Sequence, residues 1–319
     1  MIIGIILALF AGFGFAGSAV FIRISLKNIG LSGATVISLF ASTIFALIAA
    51  SIFHMDEIIL LQPTTLLWFL LIGGITFAGG RSLQYLAIKH LGAAKASAIV
   101  SASPLFASVL AVVFINESIT IPVAIGTISI LIGLITVSYN KNESSINQST
   151  IITTHLHHRK IFGQHLINRA TVASIFSLGA MYGIIAALMY GISAVLGKKV
   201  TSDLASPLVT TGFSLLFGLI LTSIIMGRLA FRDIKRAKVK SFITVVIAGF
   251  FSASGVSFWL FSLSKASVVV VMPIIAIYPL ITIIMVKLLL KGDENITKKT
   301  IIGTFIVIIG VISIGIGNI

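Results

Sequence analysis

One cationic side chain falls inside an apolar run that is long enough to span a bilayer. Arg81 lies seven residues before Ile88, where that run ends. An arginine at membrane depth is energetically costly and indicates a functional site. Gln84 and Tyr85 follow at helical spacings that place them beside Arg81. No acidic residue lies at similar depth, so we expect contacts with backbone carbonyls, water or a substrate anion such as a carboxylate. The alternative is that the long side chain extends to the membrane surface.

Aromatic and hydroxyl side chains recur at matched positions in the two halves of the chain. Phe15 and Ser18 correspond to Tyr190 and Ser193, which follow 175 residues later. Such side chains suit a mostly apolar binding cavity with few polar contacts. The alternative for each is packing within the core or anchoring at the membrane interface. The predicted substrate-binding residues are Phe15, Ser18, Arg81, Gln84, Tyr85, Ser101, Tyr190, Ser193, Ser257, Trp259 and Tyr278.

Three prolines interrupt apolar runs. Pro104 and Pro279 lie 175 residues apart, and Pro273 precedes the second of them. A proline inside a helix removes the hydrogen bond to the carbonyl four residues earlier and bends the helix. A carbonyl freed in this way can receive polar groups of a substrate, and the bend can act as a hinge. The alternative is a static kink that serves packing.

Several kinds of chemistry are missing from the sequence. The chain has no cysteine, and its eight acidic residues fall at helix ends or in loops, which leaves no carboxylate proton relay at membrane depth. No nucleotide-binding loop or catalytic set occurs, so we predict neither an ATP-driven pump nor an enzyme, and no cofactor.

Four histidines cluster at His155, His157, His158 and His165. No cysteine or acid completes a metal site there, and we predict none.

The composition is that of a membrane protein. Of 319 residues, 58% are hydrophobic and 9% are charged, and the mean hydropathy is +1.17. Soluble domains carry about 25% charged residues. A spanning helix needs about 20 mostly apolar residues. Ten such runs occur, at residues 3–22, 32–53, 66–88, 95–115, 121–139, 174–197, 205–227, 241–263, 268–287 and 300–316. We predict an all-α polytopic membrane protein with ten transmembrane helices.

The chain is an internal duplication. The tripeptide Ser-Ala-Val at position 18 recurs at position 193, and Pro-Leu at position 104 recurs at 279, an offset of 175 in both cases. Each half holds five predicted helices, so the second half must run inverted in the membrane. Inverted repeats are typical of secondary transporters. The predicted organisation is a first repeat at 1–139, a polar linker at 140–171 and a second repeat at 172–319.

The basic residues predict the orientation. One set of loops holds 18 lysines and arginines and the opposite set holds three. The excess marks the cytoplasmic side, which places both termini outside and the linker in the cytoplasm of a cell-membrane protein. The net charge of +14 therefore reflects orientation and not nucleic-acid binding. The cluster from Arg228 to Lys240 is also a candidate contact for anionic lipid head groups.

Paired glycines predict close helix packing. Gly126 and Gly133 are seven residues apart, as are Gly303 and Gly310, so each pair lies near one helix face. Small faces let membrane helices approach closely. We expect these faces to join the fifth and tenth helices within a monomer, and a homodimer is the alternative.

Residues 85–133 resemble the drug/metabolite transporter superfamily, EamA type. The resemblance rests on an aromatic residue and alanine ending helix 3, small residues opening helix 4, a proline within it, a closing glutamate and a glycine in helix 5. The corresponding residues are Tyr85, Ala87, Ala94, Ala96, Ser97, Pro104, Glu117 and Gly126. The second half matches more loosely, at Trp259, Ser262, Pro279, Glu294 and Gly303. The family's small multidrug members carry an acid in helix 1, which is absent here.

The resemblance implies a function. It implies two five-helix EamA repeats around a central cavity lined by helices 1–4 and 6–9, and export of amino acids, other metabolites or drugs. The residues favour amino acids, with organic cations second and nucleotide sugars or other phosphorylated metabolites third, because a single Arg81 suits one carboxylate. The alternative from a different class is a non-transporting membrane scaffold, for which only the linker offers an interaction segment.

Overall fold

The computed structural model describes residues 2–138 and 164–289, together with positions 302, 303, 305, 306, 309, 310 and 313. The helices are α1 (Ile2–Ser25), α2 (Leu31–Phe53), α3 (Pro63–Leu91), α4 (Ala93–Ile115), α5 (Ile121–Ser138), α6 (Gln164–Asp203), α7 (Pro207–Arg236), α8 (Val239–Lys265) and α9 (Val268–Leu289). A short helix, Met55–Ile59, links α2 to α3. Within the described ranges no strand occurs and eight helices are long and apolar enough to cross a membrane, while α5 contributes the shorter apolar stretch Ile121–Gly133. The predicted all-α polytopic membrane fold is confirmed.

Two helices extend past their predicted apolar runs. Helix α6 already begins at Gln164, inside the segment predicted as linker, whereas residues 140–163 and their histidines lie outside the described residues. Helix α7 has 30 residues and ends at Arg236. At 1.5 Å per residue it is about 45 Å long, and the hydrocarbon core is about 30 Å thick. Its basic end therefore continues past the apolar run.

The two repeats run in opposite directions. Arg23, at the end of α1, donates from Nη1 to the carbonyl of Ile88 near the end of α3 at 3.4 Å. Helices α1 and α3 therefore end on the same side of the bundle, called here the Arg23 end. Helix α8, the counterpart of α3 in the second half, ends beside the start of α1, where Ser262 Oγ donates to the Gly4 carbonyl at 2.6 Å. Equivalent helices thus point in opposite directions, and the other side of the bundle is called the Lys198 end.

Three carboxylates cap helix N-termini across the bundle. Asp233, near the end of α7, accepts from the Gly33 amide in the first turn of α2 at 3.1 Å. Glu57, just after α2, accepts from the Ser206 amide before α7 at 2.6 Å. Glu117, just after α4, accepts from the first two amides of α9 at 2.9 and 3.0 Å. Negative charge at a helix N-terminus is stabilising, which explains why these acids lie at helix ends.

Helices α4 and α9 break at equivalent points. Helix α4 divides into Ala93–Val100 and Ser103–Ile115, and α9 divides into Val268–Ile275 and Tyr278–Leu289. At the two breaks, Ala102 N donates to Ile99 O at 3.1 Å, and 175 residues later Ile277 N donates to Ile274 O at 3.2 Å. Pro104 and Pro279 open the second segments, where the first-turn amides lack an intrahelical partner in any case. Pro273 lies inside the first segment of α9.

The glycine faces of α5 and the tenth predicted helix meet within the chain. Gly126, Gly133, Gly303 and Gly310 are all buried. A Cβ atom added at Gly310 would lie 2.7 Å from the carbonyl oxygen of Gly126. Ser313 Oγ also donates to the Pro122 carbonyl at 3.0 Å. The backbones of the two helices therefore approach within a distance that only a glycine allows.

Candidate functional site

A central cavity of about 690 Å³, counting the space that opens to solvent, lies between the two repeats. Its walls come from α1, α3, α4, α6, α8 and α9, while α2 and α7 stand behind them. The lining residues are Phe15, Ser18, Ala19, Thr76, Phe77, Arg81, Gln84, Tyr85, Val100, Ser103, Tyr190, Ser252, Val256, Trp259, Met272, Ile275 and Tyr278. Among these described residues none is acidic, and Arg81 carries the one formal charge.

The structure gathers eight of the eleven predicted binding residues around this cavity. They are Phe15, Ser18, Arg81, Gln84, Tyr85, Tyr190, Trp259 and Tyr278. Ser101 is not among the lining residues, and its hydroxyl donates to the Ala98 carbonyl at 2.6 Å. Ser193 lies behind the wall, where it accepts from the Thr76 hydroxyl at 2.7 Å. Ser257 falls off the face of α8 that carries Ser252, Val256 and Trp259.

The Arg81 guanidinium points into the protein interior. The residue is 4% exposed, so its side chain does not extend to the membrane surface. Nη1 donates to Ser42 Oγ on α2 at 3.3 Å, and Nη2 donates to Ser252 Oγ on α8 at 2.5 Å. The guanidinium carbon lies 4.9 Å from the centre of the Phe77 ring, a cation–π contact. The hydrogen-bond partners of Arg81 are thus neutral, and no carboxylate among the described lining residues compensates its charge.

A π-helical segment precedes Arg81 on α3. Residues Gly73–Arg81 adopt the wider π turn, whereas the equivalent part of α8 remains α-helical. Glycines let this segment approach its neighbours: a Cβ atom at Gly73 would lie 2.5 Å from the Ser214 carbonyl on α7. π segments are frequent at functional sites. This segment ends at Arg81, the one charged side chain among the described lining residues.

The three tyrosine hydroxyls of the cavity are held by the protein. Tyr190 donates to Gln84 Oε1 at 2.7 Å, and Tyr278 donates to the Ser97 carbonyl at 3.0 Å. The Tyr85 hydroxyl lies 2.9 Å from Ser38 Oγ on α2. These bonds fix the rings and leave their faces to shape the cavity.

Trp259 lines the cavity with a side chain whose one polar atom is buried and lacks a hydrogen-bond partner in the part of the chain that the structure describes. It is 4% exposed, and its ring packs edge-on against Phe15 with a centroid distance of 6.5 Å. Its indole Nε1 is buried and has no hydrogen-bond partner among the described residues. A buried donor without a partner usually has a specific reason.

Equivalent positions of the two repeats build the cavity with unequal chemistry. Twelve lining residues form six pairs separated by 175 positions: Phe15 with Tyr190, Phe77 with Ser252, Arg81 with Val256, Gln84 with Trp259, Val100 with Ile275, and Ser103 with Tyr278. Arg81, the one charged side chain among the described lining residues, thus has an apolar counterpart in the other repeat. The cavity is symmetric in backbone position and asymmetric in charge.

The hydrogen-bond partners of Arg81 could not be predicted from the sequence. Ser42 and Ser252 lie on helices far away in the chain, and their proximity to Arg81 arises only from packing. One signal was present: Thr35, Ser38 and Ser42 are spaced at helical intervals and mark a hydroxyl-bearing face of α2. That face lies towards α3 and α8, where two of its members contact Tyr85 and Arg81.

An all-α polytopic fold built from two inverted repeats around a central cavity defines a membrane transporter. The EamA-like transporter family matches residues 2–139 and 177–316, and the chain belongs to this family. The two matches confirm the resemblance to the drug/metabolite transporter superfamily and its two EamA repeats. A solved structure titled "Crystal structure of protein" aligns with 96% of this chain and 95% of its own, with a TM-score of 0.65 and 13% identity, which supports the fold alone. No curated protein matches the chain.

Proposed function

We propose that the protein is a secondary transporter that exports small metabolites bearing one carboxylate, with amino acids the favoured class. The observation that carries this proposal is the buried Arg81 guanidinium, which enters the cavity without a compensating acid among the described lining residues. A buried charge without a counter-charge is costly. A substrate carboxylate relieves that cost and forms charge-assisted hydrogen bonds with a guanidinium.

Alternating access is the proposed mechanism. Two inverted repeats offer two related arrangements, in which the cavity opens at one end of the bundle or the other. The matched breaks in α4 and α9 supply points where the backbone can bend next to the cavity. The proposed hinge residues are Pro104, Pro273 and Pro279, which lie at or beside these breaks.

The other substrate classes fit the cavity less well. An organic cation would meet the Arg81 charge and no acid among the described lining residues. A nucleotide sugar carries at least two phosphate charges, and such groups usually require more than one fixed cation. A scaffold role would leave the buried charge unexplained.

We further propose that the protein resides in the cell membrane with its Arg23 end in the cytoplasm. The support is the excess of lysine and arginine in the connections at that end, including the basic end of α7.

Ligand binding by purified protein tests the substrate class. A ligand that binds the folded protein raises its unfolding temperature by mass action. We would screen amino acids, other monocarboxylates, organic cations and nucleotide sugars against the wild type and against Arg81→Gln and Arg81→Lys. Arg228→Gln, which removes an exposed cation at the end of α7, is the matched control.

The expected result is that carboxylates stabilise the wild type and the control. Arg81→Gln should weaken carboxylate binding by about 1.5–3 kcal/mol, the usual contribution of a hydrogen bond to a charged group, and Arg81→Lys should keep part of the affinity. Carboxylates in the same series should exchange across liposomes that contain the wild type. Stabilisation by organic cations alone, or equal carboxylate affinity in wild type and Arg81→Gln, would contradict the proposal.

A further inference from the structure

We propose that the transported carboxylate is elongated and carries an uncharged hydrogen-bond acceptor at its far end, which the indole N–H of Trp259 recognises. The inference rests on the proposed function, because it takes Arg81 as the carboxylate-binding residue. It adds a specificity-determining residue and a chemical class: carboxylates with a distal ketone, amide or ester carbonyl.

The first observation is the unpartnered indole. In the part of the chain that the structure describes, seven buried side-chain nitrogen and oxygen atoms have no hydrogen-bond partner, and only Trp259 Nε1 belongs to a residue that lines the cavity. The other six are hydroxyls, which can rotate towards a backbone carbonyl. An indole N–H has a fixed direction and can only donate. A substrate acceptor that reaches this N–H from the cavity would satisfy a donor that the described part of the protein leaves unsatisfied.

The second observation concerns charge. Arg81 is the cavity's one formal charge among the described lining residues, and no acid faces it. An ammonium group at the far end of the substrate would find no carboxylate among the described lining residues, and Gln84 Oε1 already accepts from Tyr190. The hydroxyls of Ser18 and Ser103 are neutral and provide no charge compensation. The cavity therefore favours a carboxylate whose distal polar group is uncharged.

The third observation sets the length. Ser252 Oγ accepts a hydrogen bond from the Arg81 guanidinium, and Trp259 follows seven residues later on the same helix. At 1.5 Å per residue the two Cα atoms are about 10 Å apart along the axis of α8. Helical side chains lean towards the helix N-terminus, so the indole reaches back towards Ser252 and shortens this span. Carboxylate and acceptor should therefore be separated by about 5–10 Å, which several methylene groups bridge.

The fourth observation concerns the surface between the two anchors. Val256 lies one turn from Ser252 on the same face of α8, lines the cavity and is 3% exposed. It is also the counterpart of Arg81, just as Trp259 is the counterpart of Gln84. One half of the cavity thus offers the charge, and the other half offers the apolar wall of Val256 and the unpartnered indole donor of Trp259. An extended chain with a carboxylate at one end matches this arrangement.

A matched ligand set tests the inference. The probes are heptanoate, the same acid with a ketone next to its terminal methyl group, and the same acid with an ammonium at that position. Affinities are measured by calorimetry on the purified wild type, on Trp259→Phe and on Trp68→Phe. Trp68 packs outside the cavity lining and controls for the loss of an indole. Phenylalanine keeps the aromatic contact with Phe15 and removes only the donor.

The expected result is that the keto acid binds the wild type and Trp68→Phe about 3- to 10-fold more tightly than heptanoate, the range for one neutral hydrogen bond. In Trp259→Phe the keto acid should bind no more tightly than heptanoate. A keto-acid preference that survives in Trp259→Phe, or that is absent from the wild type, overturns the inference.

The remaining outcomes separate this inference from the proposed function. If the ammonium acid binds best and Arg81→Gln abolishes its binding, the inference is wrong and carboxylate transport stands. If carboxylates do not bind, or bind Arg81→Gln as tightly as the wild type whatever their length, the proposed function fails and the inference fails with it.

Discussion

Arg23 and Lys198 lie 175 residues apart and make the same contact at opposite ends of the bundle. Arg23 Nη1 donates to the Ile88 carbonyl at 3.4 Å, and Lys198 Nζ donates to the Leu263 carbonyl at 2.8 Å. The two carbonyls are themselves 175 residues apart and belong to the last turns of α3 and α8. A cation at a helix C-terminus is stabilising. The duplication therefore preserves a helix-end contact in both repeats, once at each end.

Replacing Lys198 by glutamine should destabilise the protein by about 1 kcal/mol, because its Nζ contacts two carbonyls at the end of α8, those of Leu263 and Ala266. The neighbouring Lys199 is the control. It pairs only with Asp203 among the contacts described, and both of those side chains are about half exposed. Thermal unfolding should show a lower midpoint for Lys198→Gln than for Lys199→Gln. Equal midpoints would show that the contact contributes nothing beyond a surface charge.

Alanine at Gly310 should destabilise the packing of the tenth helix against α5. The new Cβ atom would lie 2.7 Å from the Gly126 carbonyl, and a backbone oxygen cannot move aside without shifting a helix. We expect a loss of about 1–3 kcal/mol. At Gly227 a Cβ atom meets nothing within 4 Å, and alanine there should be neutral or stabilising.

Unfolding midpoints and light scattering check this prediction. Gly310→Ala should lower the midpoint without changing the mass of the particle in detergent. A change from dimer to monomer at an unchanged midpoint would place the glycine face between two protomers instead of within one.

The helices and their duplication could be predicted from the sequence, whereas helix lengths could not. Apolar runs and the constant offset identify the membrane-spanning parts because both reflect contact with lipid and a repeated core. Neither signal reports where a helix continues into polar sequence. Helix α6 therefore begins at Gln164 within the predicted linker, and α7 continues to Arg236.

The candidate site could be predicted in part. Arg81 and its neighbours Gln84 and Tyr85 were identifiable because polar groups are rare at membrane depth and share a helix face. Hydroxyls were harder to assign, since a serine in a helix bonds its own backbone as readily as a ligand, as Ser101 does. The π turn before Arg81 also had no sequence signature beyond paired glycines.

A reporter that fluoresces only in the cytoplasm should be dark when fused to Ile319, because the charge distribution predicts that the C-terminus lies outside. The same reporter inserted at Ala237, between α7 and α8, should be bright. The pair controls for expression and folding of the fusion. The reverse pattern would invert the orientation and leave the repeats unaffected.

Transport should continue after the pH gradient is collapsed. Protons couple to transport through groups that titrate within the substrate pathway, and no acid or histidine lines the cavity among the described residues. The carboxylates of Glu57, Glu117 and Asp233 are occupied by amides at helix N-termini. We therefore expect facilitated transport or exchange without a carboxylate switch.

Proteoliposomes loaded with a carboxylate substrate measure this directly. Efflux should proceed at the same rate with and without a protonophore, and should increase when unlabelled substrate is present outside if the protein exchanges substrates. Glu117→Gln should lower thermal stability, because a glutamine keeps only one oxygen for the two amides that the carboxylate now accepts from. In Glu117→Gln, efflux should nevertheless remain independent of the pH gradient. Efflux that requires the gradient and loses this requirement in Glu117→Gln would identify Glu117 as a proton site, because a residue that only caps α9 cannot change the coupling.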